Sequence, residues 1–78
     1  MTEPTVEKIL PALQESYGEG AMVTALAQHI VQQWPNMVAE AEDGWHDLQH
    51  SLRLTCWNWF SGGDTANLTA DRILEALA

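Results

Sequence analysis

Seventy-eight residues with 11 Asp and Glu against 3 Lys and Arg carry a formal charge of −8. That charge argues against direct docking on a phosphate backbone or an anionic membrane. It serves solubility in a chain that is 46% hydrophobic and permits a basic protein surface as partner. The lone Cys56 excludes an intrachain disulfide, so a small core, worth only a few kcal/mol net, must hold the chain by itself.

The length predicts one helical domain over residues 1–78. Met1 is followed by polar residues, and no run approaches the ~20 apolar residues of a membrane span. The expected setting is therefore cytoplasmic and soluble, with no membrane association. Thr2, Glu3 and Pro4 are expected to open the first helix. Proline is tolerated in a first turn, and the acid suits the positive end of the dipole. Val6, Ile9, Leu10, Leu13 and Tyr17 form its apolar face. Pro11 lies opposite and is expected to kink or divide the helix, because its ring meets the carbonyl four residues back. Gly18-Glu19-Gly20 is the turn.

A second helix is predicted from Ala21 to Trp34, with Val23, Leu26, Ala27, Ile30 and Trp34 on its buried side. Pro35-Asn36 should end it. The third stretch, Met37 to Ser61, would be about 37 Å long if unbroken, against about 21 Å for its neighbours. Asp43-Gly44 is the place to relieve that mismatch. Because Met37, Val38 and Ala41 stay in phase with Trp45 and Leu48, a bend at Gly44 is expected, with a full break as the alternative. The last helix is expected to start at Leu68-Thr69, with Thr69 as N-cap and Leu68 stapled to Ile73. No window alternates with period two, so no strand is predicted. The expected architecture is an all-α, compact four-helix bundle-like domain with a long third helix, bent at Gly44, at its centre.

The stretch Glu42–Phe60 concentrates the chemistry, with three of the four Trp and two of the three His. Ala41, Trp45, Leu48, Leu52, Cys56 and Trp59 share one helical stripe, the predicted core side. A second row holds Glu42, His46, Gln49, His50, Arg53, Trp57 and Phe60. Joining a core requires only one apolar stripe, so two large aromatics on a second row need another explanation. They either pack under the fourth helix or form an exposed patch edged by His50 and Arg53, the residue types of interface hot spots. Leu54 falls on neither row and is expected to be exposed.

Glu42, His46 and His50 repeat every four residues and could supply metal ligands. The general-base Glu of a zinc protease is missing, a further ligand would have to come from His29 or Cys56, and Arg53 would repel a cation. Solvated or interface histidines are the simpler reading. Cys56 lies on the core stripe with no base in reach, and no glycine-rich phosphate loop occurs, so no enzymatic role and no cofactor are expected.

In size and charge alone the chain resembles phage-encoded inhibitors, immunity proteins and antitoxin-like partners. No motif carries that likeness, so it assigns no residue roles. The expected function is that of a small acidic protein-binding module, an inhibitor or adaptor of a basic partner. Trp57, Phe60, Arg53 and His50 would anchor it, and Glu42, Asp43 and Asp47 would steer it. Nucleic-acid mimicry by helix-borne carboxylates is a special case of that function. A metal-binding domain on Glu42, His46 and His50 and a homodimer with the aromatic row as its seam are the alternatives.

Overall fold

A computed structural model describes residues 2–78 as four α-helices: α1 (Val6–Tyr17), α2 (Ala21–Glu40), α3 (Gly44–Phe60) and α4 (Gly63–Leu77). Each helix packs on its neighbour in sequence, and α4 closes the ring on α1. The bundle is up-down-up-down. Arg53 pairs with Asn67 and Gln49 with Asp71, so α3 and α4 run antiparallel. Trp59 donates its indole N–H to the Met22 carbonyl, which sets the end of α3 beside the start of α2. No strand forms among the described residues.

The apolar stripes read from the sequence largely become the core. Ile9 and Leu13 of α1, Leu26 and Ile30 of α2, Leu52 and Cys56 of α3, and Ile73, Leu74 and Leu77 of α4 are fully enclosed. The third stretch is not central. Three residues of α3 are buried, against six each in α2 and α4.

Several boundaries differ from those the sequence predicts. Residues 2–5 form an extended arm rather than the first turn of α1. Thr5 is the N-cap, and its hydroxyl accepts the Lys8 N–H. Pro4 is buried and Thr2 donates its N–H to the Leu77 carbonyl at 2.7 Å, so the arm is tied across the end of α4. Pro11 does not divide α1.

Pro35 does not end α2. Trp34 and Met37 continue the stripe of Val23, Leu26 and Ile30 across the proline, and both are buried. Carrying that face two turns further offsets the hydrogen bond lost at Pro35, which is itself exposed. The chain breaks fully at 41–43, the alternative to a bend, and Gly44 starts α3 with φ at 40°. The third helix is therefore 17 residues, shorter than α2 at 20. The break takes Ala41 off the helix, whereas Trp45 stays in phase with Leu48 on α3 but lies beyond the part of the stripe that the other helices cover. Trp45 stands in the first turn at the end of the bundle and is 44% exposed.

The fourth helix starts five residues early, at Gly63. Ala66 enters the core and Asn67 takes the Arg53 N–H, so contacts to α3 recruit a segment of poor helix formers. Thr69 is thus no N-cap. It is fully buried, and its hydroxyl lies 2.7 Å from the Thr65 carbonyl and 2.6 Å from the Ser16 hydroxyl. Arg72 donates to the same Ser16 oxygen. A consistent proton order runs from Arg72 to Ser16 to Thr69 to the Thr65 carbonyl. Leu68 faces solvent, so the staple to Ile73 does not form.

Candidate functional site

The second row of α3 divides into three environments. Trp57 is 54% exposed and Leu54, one turn before it, 41%. They lie beside a shallow depression of about 170 Å³ between α3 and α4, completed by His50, Arg53, Gly63, Ala66 and Asn67. The Arg53 Nε–H donates to Asn67 Oδ1 at 2.6 Å, which fixes the guanidinium along the rim. His50 is exposed. Leu54 also borders a more polar depression of about 490 Å³ on the α2 side, with His29 and Glu40 among its walls. It is therefore a ridge between two concavities, with Trp57 at one end.

Phe60 lies elsewhere. It is half-buried and stacks on Tyr17, ring centroids 4.4 Å apart, sealing the α1–α3 end of the core. Burial pushes the Tyr17 phenol above its ordinary value and the neighbouring Thr69 pulls it back in part, yet the two hydroxyls do not meet in hydrogen-bond geometry. The phenol oxygen is enclosed without a partner. Trp59 is likewise half-buried. Its ring lies tilted against His29 at 5.2 Å.

Glu42, Asp43 and Asp47 cluster at the far end of α3. The axial distance from Asp43 to Trp57 is about 21 Å at 1.5 Å per residue. Exposed charges that far apart are screened at physiological salt, where the Debye length is about 8 Å. The Asp43 end of the cluster is therefore screened from Trp57, whereas Asp47 still acts on His50 at the near side of that face. Asp47 also has a structural part. One of its oxygens accepts the Asp43 N–H at 2.8 Å and the Glu42 N–H at 2.7 Å, closing the turn into α3. Those bonds hold its carboxyl below the usual range, and His46 and His50 add to the effect.

The break at 41–43 removes Glu42 from the helix that carries His46 and His50, so the four-residue repeat does not put the three side chains on one helical face. No group of three or more metal-ligating side chains stands together among the described residues. Burial pushes the Cys56 thiol up to about 12, which leaves the nucleophilic thiolate essentially unpopulated at neutral pH.

Gly63, Ala66 and Asn67 are the part of this face that sequence reasoning missed, because that stretch reads as loop. The early Ala66, one turn before Ala70, was the available signal. No protein-family model matches the chain, and neither the curated proteins nor the solved structures contain a match to it.

Proposed function

We propose that this protein is a small protein-binding module, an inhibitor or adaptor, that anchors a partner with a basic surface on Leu54 and Trp57. The observation that carries the reading is a Trp left 54% exposed beside a concavity, with Leu54 exposed one turn before it on the same helix. A helix needs no such group for its own core, and Trp beside Arg is the composition of an interface anchor. The basic character of the partner follows from the charge of −8. Two of the few cations are already engaged, Arg53 with Asn67 and Arg72 with Glu15. Exposed Asp64 follows Gly63 of the depression's lining, and exposed Glu40 lines the adjoining depression beside Leu54.

The test is affinity capture from the native host with the parent and with Trp57→Ala. The parent should retain a defined partner that high salt releases. Trp57→Ala should fold and lose that partner, with affinity reduced by about 2 kcal/mol or more. Equal capture by both proteins would refute the reading. A concentration-dependent dimer in sedimentation, abolished by Trp57→Ala, would replace it with the homodimer seam.

A further inference from the structure

A larger concavity than the one at Trp57 lies at the opposite end of the bundle. It measures about 560 Å³ and is lined by Thr2, Glu3, Trp34, Pro35, Val38 and Leu48. That size is in the range of ligand-binding clefts. Trp34 and Leu48 form its floor, nearly covered by the rest of the fold, whereas Val38 is 48% exposed on its wall. Trp45, 44% exposed, stands one turn before Leu48 on α3. A second depression of about 160 Å³ shares Glu3, Trp34 and Pro35 and adds Pro4 and Val31. The apolar channel thus follows the N-terminal arm, with Glu3 over its middle.

The charge at this end is mainly negative. Glu3 lines the groove itself, and Glu42 and Asp43 are exposed in the 41–43 link at the same end of the bundle. Lys8 and His46 are the basic side chains near them among the described residues, and the Lys8 ammonium donates to the Glu3 carbonyl at 3.4 Å. A carboxylate on the wall of an apolar groove, with further acids at the same end of the bundle, favours a cationic, amphipathic occupant over an anionic one.

We propose that this groove is a second docking surface, which receives an apolar side chain of a protein segment flanked by Lys or Arg. It does not rest on the Leu54–Trp57 reading. The two surfaces lie at opposite ends of α3, and the acidic residues that the sequence suggests as steering groups belong to this one. With both surfaces occupied the protein would bridge two segments, as an adaptor does.

Three short synthetic peptides test the proposal on the isotope-labelled intact protein: leucine with lysine, leucine with glutamate, and serine with lysine. The leucine–lysine peptide should bind saturably and shift the amides of Thr2, Val38 and Leu48 and the Trp45 indole. Val38→Asn and Trp45→Ser, both at exposed positions, should each weaken it about tenfold, while Leu54→Ser should stay within about twofold. Tight binding of the serine–lysine peptide would mean charge alone, and of the leucine–glutamate peptide apolar contact alone. Either result overturns the proposal. So do shifts centred on Leu54 and Trp57, or no saturable binding. The shift map on the unmodified protein decides even if a variant fails to fold.

Discussion

Leu52 and Leu54 are the same residue, two positions apart on one helix, yet the first is fully enclosed and the second 41% exposed. Replacing each by alanine changes helix propensity equally, so the difference between the variants isolates burial. Leu52→Ala removes three carbons from the core, roughly 2.4 kcal/mol of transfer free energy at ~0.8 per methylene. The cavity left among the helices raises the cost to about 3 kcal/mol, within the usual 2–5 range. For a chain of this size net stability is roughly 4–12 kcal/mol, so the loss is a large fraction of it. Each kcal/mol moves the midpoint by about 4–8 °C in so small a domain, which predicts a drop of about 12–24 °C. Leu54→Ala should cost about 1 kcal/mol or less. Circular dichroism melts of the two variants under one buffer condition decide the matter. Coincident midpoints would show that the phase of α3 is wrong, and with it the exposure of the Leu54–Trp57 face.

Other predictions follow from the hydrogen bonds. The Asp47 carboxyl is held below its ordinary range when folded, so its stabilising effect is present above the unfolded value and lost as pH falls through the folded one. The melting gap between the parent and Asp47→Ala should therefore be open at neutral pH and close below about pH 4, and a gap constant down to about pH 2 would contradict the turn-closing role. Thr69→Val keeps the shape of a fully buried side chain but deletes the hydroxyl between Ser16 and the Thr65 carbonyl. It should cost about 1 kcal/mol. A midpoint at or above the parent's would show that the hydroxyl chain is not formed.

Helix class, the four apolar stripes and the acidic surface were legible in the sequence, because periodicity is local and survives any arrangement of neighbours. The stripes through Ile9 and Leu13, through Leu26 and Ile30, and through Leu52 and Cys56 all point inward as the 3.6-residue period requires. What the tertiary structure decided was where helices start and stop. Pro35 is a local stop signal, overruled because Met37 gains a buried place beyond it. Gly63 to Asn67 is a local loop signal, overruled because Ala66 and Asn67 gain partners on α3. The second row of α3 was legible as a row but not in its fate. Period alone could not say that Phe60 would meet Tyr17 across the bundle while Trp57 would meet solvent. Nor could it show the groove at the arm, which exists only because Thr2 is tied to Leu77, residues 75 positions apart brought together by closure of the ring. Such contacts depend on which surfaces the fold leaves uncovered, and that is a property of the packed helices together rather than of any one of them.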